Sequence, residues 1–238
     1  MKFKKVALIG CGLMGGSFAL AARMAGWAPH IVGYSASESS RQKALSMGVI
    51  DLAVNSIEQA VSEADLVLLA VPVTATEACF KAIAPALKPD ALLMDVGSTK
   101  SDIVAAALNT LGDKLHCFVP VHPIAGKEVA GVEHSDADLY KDRALIITHM
   151  ASSGAPQVLL AKQIWKSLGS YITELTPAAH DAAFAAVSHL PHLLAFAYVA
   201  GVARQPEGAD MLQLAGAHSL GRGKISDFSG LGRLHRFP

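Results

Sequence analysis

Cysteine is scarce in this chain, aromatic side chains make up only 6% of it, and charge of neither sign is in excess. The three cysteines, Cys11, Cys79 and Cys117, are odd in number and widely spaced. That pattern excludes a disulfide framework and a zinc site, and it fits thiols in a reducing cytoplasm. Twenty Lys and Arg are matched by 20 Asp and Glu, so the formal net charge is zero. Without a basic field, neither nucleic acid nor an acidic membrane surface is expected as a partner. Long apolar runs are lacking too. The run Leu66–Val73 is too short to cross a bilayer and contains Pro72. The start Met1–Lys5, basic and followed by apolar residues, has the outline of an export signal. Four glycines (Gly10, Gly12, Gly15, Gly16) interrupt the apolar helix such a signal needs. A soluble, cytoplasmic protein is expected.

What the sequence does have is apolar content, 52% of 238 residues, enough for one large core with a smaller partner. Short apolar runs alternate with helical stretches from the start: strands at Val6–Ile9, Ile31–Tyr34, Leu66–Val71, Leu92–Asp95 and Cys117–Val119, with helices between them. Unbroken apolar strands alternating with helices predict a mostly parallel, doubly wound α/β sheet buried on both faces. Two more strands are predicted at Ala144–Ile147 and Tyr171–Thr173, with a helix over Gln157–Leu168 between them. At Thr176-Pro177 the pattern changes, with an N-cap followed by proline at the first helical position. An Ala-rich helix runs on to about Arg204, and its interior Pro191 should kink it. The reading is therefore three segments: 1–176 as the sheet domain, 177–215 as a helical segment, and 216–238 as a Gly-rich basic tail with no period, expected to be poorly ordered.

Gly10-Cys11-Gly12-Leu13-Met14-Gly15 is G-x-G-x-x-G placed directly after a strand and opening a helix, the context in which this motif signals dinucleotide binding. Gly10 makes the tight turn, Gly12 lets backbone approach a pyrophosphate, and Gly15 lets helix and strand pack closely. Leu13 and Met14 begin the helix whose N-terminus faces the phosphates. This is a Rossmann-type fingerprint. NAD binders carry an acid about 20 residues on, at the end of the second strand. Ser35 stands there instead, and Ser35, Ser37 and Arg41 are candidate donors to a 2′-phosphate, although Glu38 is close in sequence. NADP is favoured over NAD.

Three further segments carry a family resemblance: Asp95-Val96-Gly97-Ser98-Thr99-Lys100, His122-Pro123-Ile124-Ala125-Gly126-Lys127-Glu128 and Ser188-His189-Leu190-Pro191-His192. With the glycine loop and Val71-Pro72, their order resembles the prephenate/arogenate dehydrogenases from the start to about Gly216. The resemblance implies oxidative decarboxylation of a cyclohexadienol in tyrosine biosynthesis. It implies His122 as the catalytic histidine, which a loop position just past a strand also suits. It also implies Ser98 beside both His122 and the nicotinamide, and Val71 and Pro72 along the cofactor. The resemblance further implies that His192 and, with it, His189 bind substrate, with Glu128 at the pocket entrance. Lys127 leans the choice towards prephenate through its charge. His189 and His192 share a helix face but lack further ligands for a metal, and none is expected.

The family's Phe-Arg-Asp-x-x-Arg-Ile-Ala segment has no clear counterpart after Leu214-Ala215-Gly216, so the arginine for the substrate carboxylate is missing. A truncated or altered C-terminus is expected to weaken a homodimer built on the helical segment. Two alternatives stay open: another Rossmann dehydrogenase or reductase with a helical second domain, and a dinucleotide-binding chain without turnover.

Overall fold

A computed structural model describes residues 2–214 of the chain. The predicted basic tail, 216–238, lies outside the described residues. The chain divides into two compact units, Met1–Asp181 and Ala182–Pro238, five residues beyond the boundary expected at 176.

The first unit is built on a six-stranded sheet in the order β3-β2-β1-β4-β5-β6. Its strands are β1 Val6–Ile9, β2 Ile31–Tyr34, β3 Leu52–Ala53, β4 Leu66–Leu69, β5 Leu92–Asp95 and β6 Phe118–Val119, all paired in parallel. The helices between them are α1 Leu13–Met24, α2 Glu38–Ser46, α3 Ile57–Val61, α4 Thr76–Ile83 and α5 Ser101–Thr110. Strand side chains alternate between faces. Leu8, Leu66, Leu68, Leu92 and Met94 join Phe18 and Trp165 in one apolar layer. Ala7, Ile9, Val67, Leu69 and Leu93 join Phe80 and Phe118 in the other. Double burial is why these strands read as unbroken apolar runs.

The structure revises one expectation and adds two features. The two-residue strand β3 carries too little pattern to be read from sequence. The strand predicted to Val71 stops at Leu69, which frees Val71 and Pro72 for the loop. The two late strands are present, and the sheet they join, which the sequence did not indicate, is a second one. They are β8 Ala144–Ile147 and β9 Tyr171–Glu174 of a separate sheet, ordered β7-β8-β9 with β7 at Val121–Pro123. β7 runs antiparallel to β8, and β9 runs parallel to it, joined by α6 Ala155–Ser167. Pro120 separates β6 from β7 and carries the chain from one sheet to the other.

Helix α7, Pro177–Phe184, is capped as expected, with the Thr176 hydroxyl accepting from the Ala179 N–H at 3.2 Å. Its last residues open the second unit. Here the predicted kink is a π-helical turn, Ala185–His189, ahead of α8 Leu190–Ala203. A wider turn relieves the missing donor and ring clash that Pro191 brings to an α-helix. α9, Gly208–Leu214, follows. Sequence reading overlooked one point. Among the described residues one helical stretch, Pro177–Ala203, is long and apolar enough to span a membrane by length and composition.

Candidate functional site

The cofactor cleft is assembled from the carboxyl ends of β1, β2 and β4. Gly10 has φ +103°, and a Cβ there would lie 2.1 Å from the Ala70 carbonyl oxygen. A Cβ on Gly15 would lie 2.2 Å from the Gly10 oxygen and 2.8 Å from Leu8 Cδ1, so the helix rides directly on the strand. At Gly12 nothing lies within 4 Å of the added carbon. The loop is thus closed where packing demands it and open where a phosphate would approach. Gly12 caps α1 with no side-chain hydrogen bond, so the N–H groups of the first turn, including Leu13 and Met14, remain for an anion. These features fit a dinucleotide.

The cleft, about 520 Å³, is lined by Gly10, Gly12, Tyr34, Ser35, Val71 and Pro72 among others. Among the described residues lining it, none is acidic, and Glu38 is not one of them. Arg41 reaches back to this edge. Its guanidinium donates to the Ser35 carbonyl at 2.5 Å and to Asn55 Oδ1 at 3.3 Å, and sits 5.9 Å from the Tyr34 ring centroid. The thiol of Cys11, buried under the loop, is pushed up to about 12 by desolvation, partly opposed by the charge of Arg41. It is a packing group, not a reactive thiol.

The second cluster lies where β5 ends and β7 begins. Contrary to the loop position expected, His122 is the middle residue of β7, paired with Ile146 of β8. Val121 and Pro123 are buried, and His122 points to the opposite face, half-buried. Its Nδ1 lies 2.8 Å from His180 Nε2, and His180 Nδ1 lies 2.8 Å from Asp181 Oδ1. Asp181 in turn accepts the N–H of Lys100 and the N–H of Ser101, each at 2.8 Å. Burial alone would raise the Asp181 pKa. The hydrogen bonds from Ser101, His180 and Lys100 overcome it and hold the carboxyl well below the usual range. Burial lowers the His180 pKa, opposed by Asp181.

Beneath this chain, the Lys100 ammonium donates to Asp95 Oδ2 at 2.5 Å and to the Val121 carbonyl at 2.8 Å. Asp95 also accepts from the N–H of Gly97 at 2.7 Å and of Val121 at 3.3 Å. The pair is sealed, with Lys100 and Asp95 side chains 0% and 2% exposed. Burial lowers the Lys100 pKa, against the pull of Asp95.

Sequence reasoning singled out His122 and missed His180, Asp181 and the Lys100–Asp95 pair. The His180-Asp181 step just after a helix start was the signal available, but nothing in the one-dimensional order says that it returns to β7, 58 residues earlier. Ser98 is exposed, three residues past the end of β5. Glu128 and Lys127 are exposed in the loop after β7. Lys127 is ion-paired with Asp136 at 3.0 Å and donates to the His134 carbonyl at 3.1 Å. Its charge is therefore compensated, which removes the argument that leaned on it for prephenate. His189 and His192 belong to the second unit, exposed, with the Ser188 carbonyl accepting from His192 Nδ1 at 2.8 Å.

Comparison with known proteins gives the same grouping. Residues 18–174 match the family model described as prephenate dehydrogenase, nucleotide-binding domain, and residues 176–219 match prephenate dehydrogenase, dimerization domain. The chain is 38% identical over 198 residues to a cyclohexadienyl dehydrogenase of Zymomonas mobilis, covering 82% of this chain and 66% of the relative. It is 32% identical over 195 residues to a prephenate dehydrogenase of Bacillus subtilis, covering 82% and 52%. The chain thus spans about half to two thirds of the length of these relatives. A crystal structure of prephenate dehydrogenase from Aquifex aeolicus, in complex with hydroxyphenyl propionate and NAD+, superposes with a TM-score of 0.80 at 36% identity, over 87% of this chain and 72% of that one. The matched domains, the sequence identity and the superposed fold agree, and the chain belongs to the prephenate dehydrogenase family.

Proposed function

We propose that this chain is an NAD(P)-dependent oxidoreductase that oxidatively decarboxylates a cyclohexadienol, prephenate or arogenate, as a cytoplasmic step of tyrosine biosynthesis. The observation that carries the reading is His122. It is an imidazole on a strand at the carboxyl edge of a dinucleotide-binding sheet, held through one ring nitrogen by His180 at 2.8 Å. The bound nicotinamide supplies the hydride acceptor. The chain's own residues hold the substrate and manage the hydroxyl proton. As the ring hydroxyl turns acidic on oxidation, a neutral imidazole is suited to accept its hydrogen bond or its proton, because its pKa lies near neutrality. Ser98, in the loop after β5, is assigned a place beside His122 and the nicotinamide. His192, His189, Glu128 and Lys127 are assigned to substrate binding by their family positions.

Gly10, Gly12, Leu13, Met14 and Gly15 hold the pyrophosphate in this reading, with Val71 and Pro72 along the cofactor. Ser35 and Arg41 receive the adenosine ribose. With no acid among the described residues lining the cleft and a guanidinium at its edge, NADP is the preferred cofactor. The exposed apolar side chains of the second unit, Leu193, Leu194 and Tyr198 among them, are covered by a second copy of the chain. This reading of Pro177–Ala203 is favoured over a membrane span by the dimerization-domain match across it. The deciding assay follows absorbance of reduced nicotinamide while prephenate and arogenate are crossed with NAD and NADP. Turnover of one cyclohexadienol is expected, and turnover of neither with either cofactor would overturn the proposal.

A further inference from the structure

We propose that His180 and Asp181 form a relay that fixes His122 as its Nδ1–H tautomer and leaves Nε2 as the basic nitrogen, making His180 a positioning residue for proton transfer at His122. The inference deepens the functional reading above and rests on it for the identity of the proton.

The tautomer follows from counting donors along the chain of contacts. Asp181 accepts two backbone N–H groups, from Lys100 and Ser101, and such a carboxylate is ionised and can only accept. The ring nitrogen facing it, His180 Nδ1 at 2.8 Å, therefore carries a proton. In a neutral imidazole the other nitrogen then bears a lone pair, so His180 Nε2 is an acceptor. His122 Nδ1, 2.8 Å away, must be the donor, and the basic lone pair of His122 falls on Nε2. The opposite assignment would set two lone pairs, or two N–H groups, against each other beside a ring that is 0% exposed.

The argument needs His180 to be neutral. Among the groups facing it are Asp181 from its own helix, His122 from β7, and Lys100 and Asp95 from the β5–α5 segment. Burial and Lys100 oppose a charge on His180 while Asp181 and Asp95 favour one, and the balance lies on the neutral side. The triad logic of nucleophile, base and orienting acid recurs here with an imidazole inserted between base and carboxylate.

The bond changes balance without a net proton. The C–H bond at the hydroxyl-bearing carbon breaks, and its electron pair leaves as hydride to the nicotinamide. The C–CO2 bond breaks, its electrons enter the ring, and CO2 departs. The hydroxyl proton is taken up by His122 Nε2 while Nδ1–H stays on His180. It returns to the phenolic oxygen once the ring is aromatic.

Two measurements test the relay. Two-bond 1H–15N correlation of the histidine rings, in labelled protein with no cofactor or substrate, reads the tautomer directly, with the His122 signals assigned by their loss in His122→Asn. Protonated Nδ1 is expected in the unaltered protein at neutral pH, and protonated Nε2 would overturn the relay. In turnover, His180→Leu is expected to lower kcat by roughly 10²-fold, the low end of the span for a misplaced acid–base group, with little change in cofactor KM. The acid limb of its pH profile should move to lower pH, because protonated His122 has lost its acceptor. His180→Gln, whose Oε1 can accept the same hydrogen, should recover much of the rate. Equal losses in the two variants, or an unmoved limb, would overturn the proposal. An inactive protein with the Nδ1–H form would defeat the functional reading and support the relay; an active one with Nε2–H would defeat the relay alone.

Discussion

His122 sits on β7 between buried Val121 and Pro123, so its backbone is fixed by the β8 pairing and its ring by His180. A side chain held at both ends and far from the glycine loop in sequence should affect chemistry more than cofactor affinity. His122→Ala is expected to lower kcat by roughly 10²–10⁴-fold with the dissociation constant for the dinucleotide nearly unchanged. Steady-state kinetics with a cofactor titration checks this, and near-normal kcat would refute the assignment. At Ser35 the issue is one of charge. Its carbonyl already accepts from Arg41, and among the described residues no carboxylate lines the cleft beside it. NADP should therefore bind more tightly than NAD. Ser35→Asp should reverse the order, because the new acid repels a 2′-phosphate and accepts from a 2′-hydroxyl. Tighter NAD binding by the unaltered protein, measured by fluorescence titration, would be the contrary result.

At the scale of elements, two polar ties, one buried and one partly exposed, join segments distant in sequence. Lys100 bonds Asp95 at the end of β5 and the Val121 carbonyl at the start of β7, so one ammonium holds the main sheet to the second one. Lys100→Met would leave the Asp95 carboxylate buried without its cation. A loss of about 3–5 kcal/mol in unfolding free energy is expected by urea titration. Asp181 makes the other tie, from α7 to the first turn of α5 through the Lys100 and Ser101 N–H groups. Its carboxyl pKa is depressed in the folded protein. Its contribution to stability is therefore fully present above the unfolded value, near ~3.9, and is lost as pH falls from there through the folded value. Thermal unfolding of Asp181→Asn should show a lower Tm at neutral pH and a shallower decline below about pH 4 than the unaltered chain. Parallel curves would show that the carboxylate is not the group titrating.

Across the whole molecule, the first unit closes two apolar layers over its sheet, while the second exposes Leu190, Leu193, Leu194 and Tyr198 along one helix. That much apolar surface on one helix calls for a covering partner. Sedimentation should show a dimer that Leu194→Asp dissociates, and a strictly monomeric unaltered chain at high concentration would exclude it. The glycine loop, the strands Val6–Ile9, Ile31–Tyr34 and Leu92–Asp95, the Thr176 cap and the disturbance at Pro191 were all legible in the sequence. Each is a local matter of periodicity, backbone freedom or a missing donor. The cofactor cleft was legible for the same reason, since a loop between adjacent elements carries its own phosphate geometry. Only the tertiary structure decided that the strands after Pro120 form a second sheet, because a strand's apolar pattern does not name its neighbour. It alone decided that Lys100 is buried on Asp95, and that His180 and Asp181 stand behind His122. Hydrogen bonds of one side chain to another across 58 residues are set by packing, and packing leaves no period in the sequence for the partner to be read from.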